Sequence, residues 1–296
     1  MIRFDVGTSD LAFFLGAYCA TRIGGDLIAL DSWSISLGWI SAIAARMSIG
    51  ALNDAIDVEK DRQHPSRCYG PVAAGRVTVR AALLWWALLS CIAIACACET
   101  NPIFAAVALP AWFIGSAHAA SPIKARQVEA LRVLAPSLGC PLHLALGWCA
   151  IGSIKVPPLL LLLGVWMLGA FLLSTSRLGE ACSAHMRGVR VDERSHLAKG
   201  ISCAIGYGIG GLVSAAIVAA ALRVELLLAA PFALALGGYY LSIASRKGTQ
   251  GIAFSSLRKE PVFLALAVAL LAVTLNSSFS NIPTLQEWVG SVSLAR

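Results

Sequence analysis

The chain has 296 residues, of which 58% are apolar and only 13% are charged. Soluble globular domains carry about 25% charged residues, so this composition excludes an ordinary soluble protein and indicates an integral membrane protein. The net charge of +7 comes from basic residues dispersed among loops, without a basic and aromatic stripe, so it does not indicate nucleic-acid binding.

Apolar segments predict nine transmembrane helices, because about 20 such residues span a bilayer. The first residues lack the order of basic, apolar and small residues that marks a cleaved signal peptide. The expected fold class is therefore an all-α integral membrane protein with one transmembrane domain over residues 1–296. The predicted spans are 8–29, 33–57, 79–98, 102–119, 133–151, 156–176, 199–222, 224–245 and 260–280.

The nine cysteines do not predict a disulfide framework or a zinc site. Most of them lie inside apolar segments, where cysteine behaves as a small hydrophobic residue. No Cys-x-x-Cys pair and no Cys/His cluster at zinc spacing occurs.

Basic residues concentrate in the loops that follow even-numbered spans. By the positive-inside rule, these loops and the N-terminus are expected in the cytoplasm. The expected location is the cell (inner) membrane, with the acidic motif between spans 2 and 3 on the cytoplasmic side.

The acidic motif Asn-Asp-Ala-Ile-Asp-Val-Glu-Lys-Asp, residues 53–61, carries most of the predicted chemistry. On a helix, Asn53, Asp57 and Asp61 share one face, and Asp54 lies one turn before Asp57. Carboxylates stacked at the end of a membrane helix repel one another unless a cation lies among them. Their oxygen ligands suit Mg²⁺, which usually binds through a few carboxylates and substrate phosphates. These four residues are the predicted metal ligands, and a diphosphate is the predicted substrate group.

Residues 53–77 resemble the first aspartate-rich motif of the UbiA superfamily of intramembrane transferases, Asn-Asp-x-x-Asp-x-x-x-Asp followed by a basic loop with proline. The stretch from Asp61 to Gly75 looks most like the decaprenyl-phosphate 5-phosphoribosyltransferase branch. One departure is Gly70, where the family commonly has arginine before Pro71. The resemblance implies a ring of nine helices around a central cavity, with Mg²⁺ as cofactor. The competing reading of the motif is a helix end capped by solvated acids.

The same resemblance implies roles for the residues around this motif. Asp54 and Asp57 are expected to be catalytic through the metal that they hold. Arg62 and Arg67 are expected to bind the diphosphate through charge-assisted hydrogen bonds.

Two later segments resemble further superfamily loops. Lys124 ends the stretch Ser-Pro-Ile-Lys after span 4 and is expected to meet a phosphate, although it can equally serve as a positive-inside anchor. Arg177 and Glu180, after span 6, match part of the Lys-Arg-x-x-Glu pattern of the phosphoribosyltransferase branch and are expected to be catalytic. Ser176 replaces its lysine, and a plain Arg–Glu pair is the alternative. No second aspartate pair occurs here.

Arg46 lies inside span 2, seven residues before Asn53. A charge at that depth is costly unless it faces a polar interior, so Arg46 is expected to point into the cavity and to bind substrate. Its expected partner is Glu180 or an acidic lipid phosphate, and a purely structural pair is the alternative.

Three functions follow from these features. The first is Mg²⁺-dependent transfer of 5-phosphoribosyl from phosphoribosyl pyrophosphate to a polyprenyl phosphate. The second uses a prenyl diphosphate as donor and an aromatic or other lipophilic acceptor, or cyclises the chain internally. The third is a binding protein or transporter descended from such an enzyme. The expected partners are the diphosphate donor, a polyprenyl lipid and membrane lipids, with no nucleic acid.

Overall fold

The computed structural model describes residues 5–23, 31–63, 68–120, 133–134, 136–153, 155–186, 193–222, 224–252 and 254–279. Within these ranges every regular element is helical, as expected for an all-α membrane protein. The chain divides into two compact units. The first comprises residues 1–132 and 139–157, and the second comprises residues 133–138 and 158–296.

The first unit contains six of the described helices. They are α1 (Asp5–Ile23), α2 (Ser32–Ile56), α3 (Val58–Gln63), α4 (Val79–Thr100), α5 (Pro102–Ala120) and α6 (Gly139–Ala150).

Side-chain caps fix where these helices begin. The Asp31 carboxylate accepts hydrogen bonds from the Trp33 and Ser34 amides and starts α2, and the Thr78 hydroxyl accepts from the Ala81 amide and starts α4. Asn101 accepts a hydrogen bond from the Phe104 amide and donates to the Cys149 carbonyl oxygen 3.0 Å away. Its side chain therefore starts α5 and ties it to the end of α6.

One core cluster of the first unit is built mainly from small side chains around two aromatic rings. α2 packs against α4 and α5, and α1 packs against α6. Phe13 and Phe104 are fully buried among alanines, and the Ser41 hydroxyl donates to the Ala93 carbonyl oxygen at 2.8 Å. Small residues let membrane helices approach closely, so this composition favours tight helix contacts.

The second unit contains the remaining described helices and one 3₁₀ turn. They are α7 (Leu159–Met186), α8 (Glu193–Leu222), the 3₁₀ turn Val224–Ala229, α9 (Ala230–Ile252), α10 (Phe254–Leu257) and α11 (Pro261–Phe279).

α7 is the centre of the second unit, because it packs against both α8 and α9. Phe171 of α7 lies in a buried cluster with Ala204, Tyr240 and Ala244. The helical path of α9 breaks at Gly248, where φ is +62° and glycine avoids the clash that a side chain would meet. The short final part of α9 therefore takes a new direction.

Each predicted span overlaps a described helix, but the count of nine is not confirmed. Six described helical stretches are long and apolar enough to cross a membrane alone. They lie at Ser32–Ile56, Val79–Thr100, Pro102–Ala120, Leu159–Cys182, Gly200–Ala220 and Glu225–Gly248. The chain is an integral membrane protein.

Candidate functional site

The acidic motif lies where α2 ends and α3 begins. α2 stops at Ile56, and Asp57 has φ −88° and ψ 9°, a bridge conformation often found at active-site residues. The Asp57 amide donates to the Asn53 carbonyl oxygen at 2.9 Å, and the Asp61 amide donates to the Asp57 carbonyl oxygen at 2.9 Å. The i to i+4 connection expected for Asn53, Asp57 and Asp61 is therefore present, although the helix bends at Asp57.

Two carboxylates of this motif are buried. Asp57 is 2% exposed and Asp61 is 8% exposed, while Asn53 and Asp54 are half-buried. Asp57 Oδ1 lies 3.7 Å from Nζ of Lys60, whose side chain is largely exposed. Two buried carboxylates one helical turn apart concentrate negative charge, and this charge suits the binding of a cation at this end of α2.

The oxygen ligands of the acidic motif suit Mg²⁺, which needs few protein ligands, better than a metal that is coordinated by protein side chains alone. Among the described residues, no three His, Cys, Asp or Glu side chains come together as a metal-binding group. Mg²⁺ is usually held by one or two carboxylates together with waters and substrate phosphates. Asp57 and Asp61, with Asn53 one turn before Asp57, can supply this small number of protein ligands.

Arg62 takes part in a turn that follows the acidic motif. Its Nη1 donates to Oε1 of Glu59 at 2.8 Å, and its Nε donates to the Ala73 carbonyl oxygen at 3.4 Å. The turn is closed by the Ala74 amide on the Gly70 carbonyl oxygen and by Gly75 at φ +73°. Arg62 is half exposed, so its guanidinium fastens the turn and still reaches solvent.

The turn also packs against the two helices that it connects. Val72 is buried against Ala55 of α2 and Ala82 of α4. These contacts hold the start of α4 beside the buried aspartates.

Arg46 has a partner that the sequence did not suggest. Its Nη2 lies 3.4 Å from Oδ1 of Asp10 on α1, and both side chains are about one-fifth exposed. The expected partners were Glu180 or a lipid phosphate. His143 of α6 is buried and lies within electrostatic range of both charges. Asp10 is an acidic residue inside the first apolar segment, and this feature of the sequence could have indicated it as the partner of Arg46.

Arg177 and Glu180 lie one turn apart on α7, in the second unit. Arg177 is half-buried and Glu180 is exposed. The preceding turn is buried, with the Thr175 hydroxyl donating to the Phe171 carbonyl oxygen at 2.8 Å. Arg67 and Lys124 lie outside the described residues, so their expected roles remain predictions.

Comparison with known proteins identifies the family to which the chain belongs. The model of the UbiA prenyltransferase family matches residues 11–247, which is most of the chain. The chain belongs to the UbiA prenyltransferase family. The predicted superfamily and the prediction of a transferase enzyme are thus confirmed. The decaprenyl-phosphate phosphoribosyltransferase branch stays a prediction.

Solved structures with the UbiA fold are similar over nearly the whole chain. A UbiA homolog from Archaeoglobus fulgidus bound to GPP and Mg²⁺ has a TM-score of 0.64 and 18% identity, covering 92% of this chain and 96% of that one. The same homolog bound to DMAPP and Mg²⁺ gives the same values. The apo UbiA homolog from Aeropyrum pernix K1 has a TM-score of 0.62 and 16% identity, covering 94% and 100%.

These similarities confirm the predicted fold class. Mg²⁺, the cofactor predicted for this UbiA-family chain, is the ion bound in the Archaeoglobus structures. No curated protein sequence matches the chain.

Proposed function

We propose that this chain is a Mg²⁺-dependent intramembrane prenyltransferase, which moves a prenyl group from a prenyl diphosphate to a lipophilic acceptor and releases pyrophosphate. The observation that carries the proposal is the acidic end of α2. Asp57 and Asp61 are buried there in a chain that is 58% apolar. Acids that only cap a helix end in solvent would stay exposed, whereas these two are buried. Binding of a cation and its diphosphate ligand accounts for this burial.

The candidate metal ligands in this proposal are Asn53, Asp54, Asp57 and Asp61, and Mg²⁺ would take one or two of these carboxylates together with waters and the phosphates of the donor. When bound, Mg²⁺ supplies Lewis acidity and a template for the leaving diphosphate. The helix bends at Asp57, and Nζ of Lys60 lies 3.7 Å from Oδ1 of Asp57, where it offsets part of the negative charge of the motif.

Basic residues of the chain complete the proposed donor site. Arg62 donates charge-assisted hydrogen bonds to the diphosphate from the turn that it fastens. Arg67 and Lys124 are assigned the same task on the sequence pattern alone. Arg177 and Glu180 remain predicted catalytic residues, because they match part of the Lys-Arg-x-x-Glu pattern of the phosphoribosyltransferase branch.

The choice of a prenyl donor is supported by the family and by its solved homologues. The Archaeoglobus homolog binds GPP in one structure and DMAPP in another, both of which are prenyl diphosphates.

A second candidate donor is phosphoribosyl pyrophosphate, with a polyprenyl phosphate as acceptor. It is favoured by the pattern from Asp61 to Gly75 and by the lack of an acid pair between Ser174 and Glu180. The same aspartates serve its pyrophosphate. In both cases we place the chain in the cell inner membrane with the acidic motif facing the cytoplasm, as its loop charges predict.

Labelled donors separate the two candidates. The full-length protein in detergent is given Mg²⁺ with labelled geranylgeranyl diphosphate or labelled phosphoribosyl pyrophosphate, each with a lipid extract as the source of acceptors. Labelled lipid product and pyrophosphate from the first donor support prenyl transfer. Turnover of the second donor alone would replace that conclusion with phosphoribosyl transfer.

Asp57→Asn tests the acidic motif itself. Removal of this charge is expected to lower pyrophosphate release by ~100-fold or more, because it weakens the hold on the Mg²⁺ that would stabilise the charge of the leaving diphosphate. Glu99→Gln, at an exposed position near the end of α4, is the matched control and should retain full activity. An unchanged rate for Asp57→Asn would remove the motif from the mechanism.

A further inference from the structure

The connection between α9 and α11, residues 245–260, carries a basic surface that the proposed transfer reaction does not use. Glu260 is the only acid in this stretch, against four basic residues, so the connection has a net charge of +3. Two of the basic residues end the regular part of α9 and two come just before α11. All four are exposed, and they are Arg246, Lys247, Arg258 and Lys259.

An ion pair holds the two ends of this connection together. Nζ of Lys247 pairs with Oε1 of Glu260, and the Tyr239 hydroxyl donates to Oε2 of Glu260 at 3.2 Å. Arg246 directly precedes Lys247, and Lys259 directly precedes Glu260. The ion pair therefore brings the basic residues of both ends close to one another.

The second half of the connection is anchored to the protein core. Leu257, the last residue of α10, is 3% exposed and lies in a buried cluster with Ile243 and Ala244 of α9. Arg258 and Lys259 follow directly and remain exposed. Because Leu257 is packed against α9, these two basic residues belong to a folded surface at the end of that helix.

Three of the four basic side chains have no acidic partner in the part of the chain that the structure describes. Lys247 is offset by Glu260, whereas Arg246, Arg258 and Lys259 form no ion pair there. Like charges gathered on one surface attract anions. The guanidinium group of arginine presents a planar fork of donors that matches the oxygens of a phosphate. This surface therefore favours a phosphate group as its ligand.

The position of the surface selects the source of that phosphate. The apolar stretch Glu225–Gly248, long enough to span a membrane, ends beside Lys247, and the apolar helical stretch Pro261–Thr274 begins directly after Glu260. Both flanks suit the apolar layer of a bilayer, so the basic surface between them lies at the level of the lipid headgroups. Basic clusters next to a membrane helix attract anionic lipids. The headgroup layer also presents phosphate at a far higher local concentration than the surrounding solution.

We propose that Arg246, Arg258 and Lys259 form a binding surface for the phosphate of an anionic lipid headgroup. The pair of Lys247 with Glu260 positions these three residues and takes no direct part in binding. Lipid binding at this surface is independent of the donor that the chain uses in catalysis. A protein that binds anionic lipid here and turns over no diphosphate would contradict the proposed function alone.

Native mass spectrometry of the full-length protein in detergent measures this binding without turnover. The probes are phosphatidylglycerol and phosphatidylcholine with the same acyl chains, and we expect the first to bind at least tenfold more tightly. A basic residue at a membrane surface contributes about fivefold to the binding of anionic lipid. The triple variant Arg246→Gln, Arg258→Gln, Lys259→Gln is therefore expected to bind phosphatidylglycerol at least tenfold more weakly. An unchanged affinity in the triple variant, or equal binding of both lipids by the unaltered protein, would overturn the proposal.

Matched single variants separate this surface from the net charge of the protein. Arg258→Gln is expected to weaken the binding of phosphatidylglycerol about fivefold. Arg80→Gln removes the same charge from an exposed position at the start of α4 in the first unit and should leave the affinity unchanged. Equal losses in both variants would overturn the assignment to this surface.

The source of the phosphate is tested with glycerol 3-phosphate, which has the charged group without acyl chains. We expect it to bind far more weakly than phosphatidylglycerol. Binding of both with the same affinity, and loss of both in the triple variant, would replace the lipid by a soluble phosphate compound as the ligand.

Discussion

At the scale of single residues, the structure assigns different surroundings to acids that look alike in the sequence. Asp57 and Asp61 are buried, whereas Glu59 between them is 75% exposed and pairs with Arg62. The helical turn explains the difference, because residues at i and i+4 share a face and the residue between them does not. Spacing therefore distinguishes proposed ligands from surface acids.

Arg62 has two possible tasks, and a pair of variants separates them. Arg62→Gln is expected to raise the KM for the donor about tenfold or more, since a hydrogen bond to a charged group contributes about 1.5–3 kcal/mol. Glu59→Gln removes the ion pair but keeps the guanidinium, so steady-state kinetics should show an almost unchanged KM. An equal rise in the KM of both variants would mean that Arg62 only stabilises the turn and does not bind the donor.

The stability that the Asp31 carboxylate contributes is expected to fall as the pH is lowered. The Ser34 hydroxyl and the Trp33 amide donate to its carboxylate and lower the pKa of Asp31 below its usual value. A group with a lowered folded-state pKa contributes stability above its unfolded value, near 4, and loses it as the pH falls through the folded pKa. The melting temperature in detergent of Asp31→Ala should therefore lie below that of the unaltered protein at pH 7. The gap should narrow at pH 3. A constant gap across this range would assign the effect to something other than the charge.

At the scale of elements, α1 and α6 approach closely at two glycines. A Cβ on Gly147 would lie 1.8 Å from the Phe13 carbonyl oxygen, and a Cβ on Gly16 would lie 2.0 Å from the Leu144 carbonyl oxygen. Both obstacles are backbone atoms, which cannot rotate away. The two helices therefore touch main chain to main chain, as small residues allow in membranes.

Gly147→Ala is expected to destabilise the protein by about 1–3 kcal/mol, the usual cost of overpacking. Gly50→Ala is the matched control, because a Cβ on Gly50 of α2 meets nothing within 4 Å. Alanine also favours a helix over glycine by up to ~1 kcal/mol, so the control should melt at the same or a higher temperature. Similar melting temperatures for both variants would show that α1 and α6 can separate without cost.

Much of the element order could be predicted from the sequence, but contacts between elements could not. Hydropathy predicted spans at 33–57 and 79–98, and α2 and α4 occupy Ser32–Ile56 and Val79–Thr100. The pairing of Arg46 with Asp10 depends on which faces of α1 and α2 meet, and no spacing rule connects residues 36 positions apart. The same holds for His143. The sequence also predicted a continuous helical face through Asp57, whereas the helix bends there.

At the scale of the whole molecule, the loop charges predict which side of the membrane the acidic motif faces. Cys68 lies in the turn that follows this motif and provides a native reporter of that side. A maleimide that cannot cross membranes is expected to label Cys68 in inside-out vesicles and not in intact cells, because the loop is predicted to be cytoplasmic. Cys68→Ser identifies the signal by removing it. Labelling in intact cells would reverse the predicted orientation.

The unbroken course of α2 from Ser32 to Ile56 fixes the distance between Arg46, a predicted substrate-binding residue, and the acidic motif. One rigid rod carries both Arg46 and Asn53, so their separation and their angular relation are set by residue count alone. An added residue between them would rotate one side chain by about 100° around the axis, whereas four added residues would rotate it by only about 40° and lengthen the interval by about 6 Å. Relatives with a different count in this stretch are expected to prefer substrates of correspondingly different reach.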